Sequence, residues 1–167
     1  MKKMTERFLL DAFGGESMAH MKYLIFSEIA EKEGFKNISR LFKAISYAEF
    51  VHARNHARNL GIVKDTKDNL KAGIDGETFE VEEMYPVYND AAKFQGEKDA
   101  ERSTYFALEA ERIHAELYKK AKELVENGKD ISEEDIYICP VCGYTHIGEP
   151  PDKCPVCGAK KETFKKF

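Results

Sequence analysis

The chain lacks any excess of positive charge: 26 lysines and arginines stand against 30 aspartates and glutamates, leaving a formal charge of −4 and a pI near 5.8. Nucleic acid, whose binding rests on neutralised phosphates, is therefore not expected as a partner. Long apolar runs are also missing. Met1 to Arg7 is polar, without the apolar segment of a leader peptide, and no stretch approaches the roughly 20 apolar residues needed to cross a bilayer. The expectation is an acidic cytoplasmic protein that makes no membrane contact. Nor is there a G-x-G-x-x-G stretch, so a nicotinamide or flavin carrier would have to belong to another protein. Cysteine is absent before residue 139, and all four cysteines then fall within 19 residues as two CxxC pairs. In a reducing compartment that pattern favours a metal over disulfides.

What the chain does contain is helical periodicity. Leu9, Ala12, Glu16, Ala19, Tyr23, Phe26 and Ala30 fall on one 3-4 stripe, which predicts a helix over about residues 5–33, broken at Gly34. Ile38, Phe42, Ile45, Glu49, His52 and His56 predict a second over about 37–60, stopped at Gly61. Glu77, Glu80, Met84, Val87, Ala91 and Phe94 predict a third over about 77–95, bent at Pro86. Ala107, Glu111, His114, Tyr118, Ala121 and Val125 predict a fourth over about 98–127. This leaves a long connector from Gly61 to Asp75. Phe8, Phe42, Phe94 and Phe106 read as core.

Each helix carries glutamate on the stripe that packing should bury. An uncompensated buried carboxylate costs several kcal/mol, and no lysine or arginine shares these stripes, so a bound cation is the natural remedy. Turn arithmetic brings the glutamates together. Glu16 lies 18 residues before Gly34 and Glu49 lies 15 after it, so at about 1.5 Å per residue the two return to one level. Glu80 and Glu111 bracket Gly96 in the same way. Two sequences of the form A-E-x-[VI]-H-A, Ala48–Ala53 and Ala110–Ala115, repeat at a spacing of 62 residues, and Gly15-Glu16 recurs as Gly76-Glu77. The pattern is a duplicated helical pair. E-x-x-H sets a carboxylate and an imidazole one turn apart on one helical face, and two such units with additional glutamates match the ligand set of di-iron carboxylate bundles, in which iron or manganese suits the oxygen donors. His20 and His56 read as packing or outer-sphere residues, and His146 as exposed.

In the tail, Cys139, Cys142, Cys154 and Cys157 form two Cys-Pro-Val-Cys-Gly knuckles that suit one four-thiolate metal, zinc or iron. Gly143 and Gly158, each after the second cysteine of its pair, permit the left-handed turn that aims backbone N–H groups at sulfur. About 30 residues cannot enclose a large core, so the metal is expected to fold this module. The residues thus divide into a helical unit, 1–134, and a metal-knuckle unit with short β-strands, 135–167.

These motifs resemble those of the rubrerythrin family over nearly the full length: Gly14-Gly15-Glu16-Ser17, both E-x-x-H units, Gly76-Glu77-Thr78-Phe79-Glu80, Met84-Tyr85-Pro86, and the CPVCGY and CPVCG knuckles. The resemblance implies a ferritin-like four-helix bundle with two non-haem irons, joined to a rubredoxin-like domain with one iron, for which zinc can substitute. It implies Glu49 and Glu111 as bridging ligands, with Glu16 on one iron and Glu77 and His114 on the other. Glu80 and His52 match the pair that alternates on one iron during reduction, while Tyr23 and Tyr85 match tyrosines hydrogen-bonded to ligand carboxylates. The implied activity is reduction of hydrogen peroxide to water in oxidative-stress defence. Electrons would come from an external rubredoxin or a flavin-dependent NAD(P)H reductase through the four-thiolate iron. A homodimer is implied as well, with exchange of helical pairs between subunits as one arrangement. Two other readings of the same residues remain: a ferroxidase or iron-handling protein that prefers dioxygen, and a redox-silent zinc-ribbon interaction protein.

Overall fold

The computed structural model describes residues 1–167. Four long helical stretches precede a small sheet. Helices α1 (Lys3–Lys32) and α2 (Lys36–Leu60) form an antiparallel hairpin within a compact unit, Met1–Lys64. The second unit, Asp65–Phe167, contains α3 (Thr66–Phe79), a π-helical turn (Glu80–Met84), α4 (Tyr85–Gln95), α5 (Lys98–Glu126) and the strands β1 (Ile136–Ile138), β2 (Thr145–Ile147) and β3 (Lys165–Lys166).

The duplication is visible in the backbone. At the first hairpin turn Gly34 adopts φ +87°, and Phe35 N–H reaches Ala30 O at 2.8 Å. At the corresponding turn between α4 and α5, Gly96 adopts φ +73° and Glu97 N–H reaches Ala92 O at 3.0 Å. Both are six-to-one closures of a helix end, a conformation in which a Cβ is unfavourable.

The seam of the first hairpin does not follow the large apolar residues. Its buried positions are Ser39, Ser46, Ala53 and Ala57 on α2 against Ser27 and Ala30 on α1, whereas Ile38 and Ile45 are exposed. Ser39, Ser46 and Ala53 recur every seven residues, and small side chains let two helices approach closely. Larger residues on the neighbouring stripe flank the contact. Two of the four phenylalanines expected in the core are likewise exposed, Phe94 by 92% and Phe8 by 55%. Phe94 lies in the last turn of α4, and Phe8 near the open end of the α1–α2 hairpin, where few facing side chains reach them. Phe42 and Phe106 are half-buried.

The third helical stretch begins eleven residues earlier than its periodicity predicts, so the Gly61–Asp75 connector shrinks to the few residues before Thr66. Asp65 caps this early start, its Oδ1 accepting the Asp68 N–H at 2.9 Å. Gly73 is useful here because a Cβ at that position would lie 3.1 Å from the Tyr118 ring on α5. The expected bend at Pro86 takes the form of the π turn: Tyr85 N–H bonds Glu80 O, five residues back. A proline ring clashes with the carbonyl four residues before it, and the wider turn relieves that clash. Asn89 ties α4 to α5, donating to Glu101 O at 2.7 Å and Thr104 Oγ1 at 2.9 Å.

β1 is the central strand, antiparallel to both neighbours, with Ile138 opposite Thr145 on β2 and Lys165 on β3. Three of the four cysteines are buried, and Phe106, Tyr144, Val156 and Phe164 pack around them. Phe106 belongs to α5, so the cysteine cluster rests against that helix within the second unit.

Candidate metal centres

Three groups of side chains converge to within 4.8 Å, measured between donor atoms: Glu16, Glu49 and His52; Glu77, Glu111 and His114; and the four cysteines. The first two are the duplicated triads, one in each unit. In the first, His52 Nδ1 lies 3.0 Å from Glu49 Oε2 and 3.7 Å from Glu16 Oε1. In the second, His114 Nδ1 lies 2.6 Å from Glu111 Oε2. Each helix thus presents its E-x-x-H pair with Nδ1 turned toward the carboxylate.

The second triad carries the electrostatic mark of a cation site. Burial, a hydrogen bond with Glu111 and the Glu111 and Glu80 charges push the Glu77 carboxyl up to about 7. Glu80 stands outside the 4.8 Å group but faces the same cluster. Burial and Glu111 raise its pKa, with His114 acting in the opposite direction. The Tyr85 phenol is raised by burial and then by Glu80, Glu111 and Glu77, which places it beside the acidic cluster. Tyr23 packs against Phe26 and Phe42. Carboxylates crowded in this way, with an imidazole nitrogen among them, fit a divalent metal, whose charge removes the repulsion.

The cysteine cluster passes a geometric test. Cys139 Sγ is 3.5 Å from Cys157 Sγ, and Cys142 Sγ is 3.4 Å from Cys154 Sγ. A tetrahedron with metal–sulfur bonds of about 2.3 Å has S···S edges of about 3.8 Å, whereas a disulfide needs about 2.05 Å. Backbone N–H groups converge on the sulfurs. Although burial acts the other way, N–H groups of Cys157 and Val156 hold the Cys154 thiol below its ordinary range. Burial raises Cys142, against a hydrogen bond from Tyr144 N–H. Burial also raises Cys157, against one from Ala159 N–H. Donors aimed at sulfur stabilise thiolate, the form that binds metal.

The other histidines have polar partners or none. His20 Nδ1 lies 2.8 Å from Ser46 O and 2.9 Å from Ser46 Oγ, a packing role as expected. His146, expected to be exposed, is half-buried because Tyr144 OH meets its Nδ1 at 3.1 Å. Sequence reasoning missed Thr145. Its Oγ1 lies 2.8 Å from His114 Nε2, and its only sequence signal is its place three residues after Cys142.

A family model described as rubrerythrin matches residues 7–122, and one described as the rubrerythrin rubredoxin-like domain matches residues 137–165. The chain belongs to the rubrerythrin family. Rubrerythrin-2 of Clostridium acetobutylicum is 47% identical over 98% of this chain and 97% of that protein. Nigerythrin of Nitratidesulfovibrio vulgaris is 35% identical over 93% of this chain and 83% of that protein. Among solved structures, fully reduced, all-ferrous nigerythrin matches with a TM-score of 0.59 and 31% identity over 98% of this chain and 86% of that one. The fold is accordingly ferritin-like helices followed by a rubredoxin-like domain, and the rubrerythrin cofactors are two non-haem irons in the bundle and one iron in the four-cysteine site. As a rubrerythrin the chain is an oxidoreductase with a role in oxidative stress. No helix is long and apolar enough to cross a membrane.

Proposed function

We propose that this rubrerythrin reduces hydrogen peroxide to water with electrons relayed through its four-cysteine iron. The observation that carries the reading is the seat of the cysteine cluster. It packs on Phe106, and a Cβ at Gly143 would lie 3.6 Å from that of Ala110, the residue just before Glu111. A one-electron carrier is thereby held next to a triad that can bind a reactive metal.

Glu16, Glu49, His52, Glu77, Glu80, Glu111 and His114 are the ligands of the di-iron site, and Cys139, Cys142, Cys154 and Cys157 hold the third iron. Iron held in the bundle would supply one electron from each ion to the O–O bond, and peroxide, taking up two electrons and two protons, would leave as two waters. Glu49 and Glu111 would serve both ions, His114 would be a constant ligand, His52 and Glu80 would exchange as ligands, and Tyr85 and Tyr23 would steady the carboxylates. The four thiolates leave no open position for substrate, so that cluster returns electrons singly. Its source is an external rubredoxin or a flavin-dependent NAD(P)H reductase. Residues 1–134 form the bundle unit and 135–167 the electron-carrying unit. The protein works as a cytoplasmic homodimer, which some relatives build by exchanging helical pairs.

The test is anaerobic stopped-flow mixing of the chemically reduced protein with hydrogen peroxide, following the visible band of the ferric four-thiolate centre, with dioxygen as the parallel oxidant. Rapid return of colour with peroxide and slow return with dioxygen supports the peroxidase. The reverse preference replaces it with oxidase or iron-handling chemistry. A colourless protein means zinc in the tail and removes the relay.

A further inference from the structure

The two E-x-x-H units are duplicated in sequence but not in surroundings. His52 Nδ1 faces Glu49 and Glu16, its Nε2 has no partner in the chain, and its side chain is 53% exposed. His114 is 27% exposed and has a polar neighbour at both nitrogens, Glu111 Oε2 at 2.6 Å from Nδ1 and Thr145 Oγ1 at 2.8 Å from Nε2. Thr145 is the first residue of β2, so its hydroxyl comes from the four-cysteine module rather than from the helices.

A metal on Nδ1 would take the lone pair of that nitrogen, so the proton of a neutral His114 imidazole would sit on Nε2. A threonine hydroxyl has one hydrogen to give; with Gly143 O 3.2 Å from its oxygen, Thr145 has a second acceptor for that hydrogen and is left to accept from Nε2–H at 2.8 Å. A neutral imidazole protonated on Nε2 has its lone pair on Nδ1, the nitrogen turned toward Glu111. A metal-bound histidine commonly donates its other ring N–H to an acceptor that fixes both tautomer and ring plane. Here the acceptor is an alcohol in an apolar setting: His114 and Thr145 both line a cavity of about 480 Å³ with Leu70, Leu117, Ile138 and Ile147.

We infer that Thr145 is a positioning residue for His114: its hydroxyl holds the imidazole as the Nε2–H tautomer with Nδ1 free for metal, and so makes His114 the fixed member of a duplicated pair whose other member, His52, is free to move. The inference rests on the reading of Glu77, Glu111 and His114 as ligands. It adds that the four-cysteine module shapes the bundle site besides feeding it electrons. It also accounts for the difference between two identical motifs by one side chain outside both.

The experiment compares wild type, Thr145→Val and Thr145→Ser as full-length proteins, with zinc in place of iron so that the imidazole protons can be followed by NMR. In wild type a slowly exchanging Nε2–H on His114, in contact with the Thr145 methyl, is expected, while the His52 Nε2–H exchanges fast. The valine keeps the shape and removes the acceptor. Exchange at His114 should accelerate at least about tenfold, and metal retention by the bundle should weaken by about 10–100-fold, the range for lost outer-sphere partners. Serine should restore both. The iron-loaded variants must keep the four-thiolate visible band, which shows that the module is intact. An unchanged His114 Nε2–H in Thr145→Val overturns the inference and leaves the ligand assignment standing. Failure of zinc to shift His114 Nδ1 in wild type overturns the assignment, and the inference with it.

Discussion

Ser46→Ala is the substitution whose effect the structure fixes most closely. Ser46 is 2% exposed in the α1–α2 seam. Its Oγ donates to His20 O at 2.9 Å, and His20 Nδ1 faces both Ser46 O at 2.8 Å and Ser46 Oγ at 2.9 Å. This reciprocal lock sits one turn after Glu16 on α1 and one turn before Glu49 on α2, so it sets the level at which those two carboxylates meet. Removing the hydroxyl leaves no orphan: His20 Nδ1–H keeps Ser46 O, and His20 O keeps its place in the helix. The loss is therefore one net buried hydrogen bond, about 1–1.5 kcal/mol, rather than the larger penalty of an unpaired group. The assay is hydrogen exchange of the α1 and α2 amides around the lock, where about 1.4 kcal/mol accelerates exchange tenfold. Ser17→Ala is the control, because Ser17 Oγ bonds only Phe13 O of its own helix at 2.6 Å. There the same chemical change should be neutral or slightly stabilising, since alanine is the better helix former. Equal exchange in the two variants would refute the argument. Ser46→Val should be worse than Ser46→Ala, because the seam has no room for two methyl groups.

Other consequences concern the metal centres. His52→Ala should slow peroxide turnover about tenfold or more, given that even outer-sphere losses reach that size, with the four-thiolate spectrum unchanged; unchanged turnover in the stopped-flow assay would sink the ligand alternation. Cys142→Ser should abolish the visible band and open residues 135–167 to proteolysis, because the module has too little core to fold without its metal. Glu77, raised from 4.5 to about 7, binds its proton more tightly folded than unfolded. Its stabilising contribution to the metal-free protein is complete below the ordinary carboxylate range and is lost as pH rises through about 7. Melting of the chelated protein should therefore fall between about pH 5 and 8 relative to Glu77→Gln. A flat difference between the two proteins would count against the crowded cluster.

The residues that the structure gathers into two Glu-Glu-His triads were legible in the sequence because they are residue types that packing would not put there. Glu16, Glu49 and Glu111 sit on apolar stripes, and their E-x-x-H partners recur at a fixed spacing. The hairpin seam was not legible for the opposite reason. Ser39, Ser46 and Ala53 carry little hydrophobic signal, so Ile38 and Ile45 on the adjoining stripe dominated the pattern, although helix contact depends on smallness. The early start of α3 was hidden because Gly73 falls in the stretch read as connector, Gly61 to Asp75. Gly73 is there for the Tyr118 ring, a tertiary constraint with no local signature. Thr145 was equally invisible, since its role depends on a strand meeting a helix 31 residues away.

The π turn shows how such constraints combine. Upstream, α3 is held by the close approach of Gly73 to Tyr118, and it directs Glu77 at Glu111. Downstream, α4 is held by Asn89, which binds Glu101 O and Thr104 Oγ1 through one side chain. A continuous α-helix turns about 100° per residue, so both contacts can be made against one helix, α5, only if the number of residues between them suits that phase. One additional residue in the Glu80–Met84 turn adjusts the phase without displacing either anchor. Pro86 fits immediately after it, because the missing N–H removes a bond that regular helix would otherwise use to expel the extra residue. Glu80 opens the turn, so the ligand assigned to alternate with His52 sits where the backbone ladder is already interrupted, while Glu77, assigned a constant role, sits in regular helix before it. Regular helix thus carries the glutamate proposed to stay, and the π turn the glutamate proposed to move.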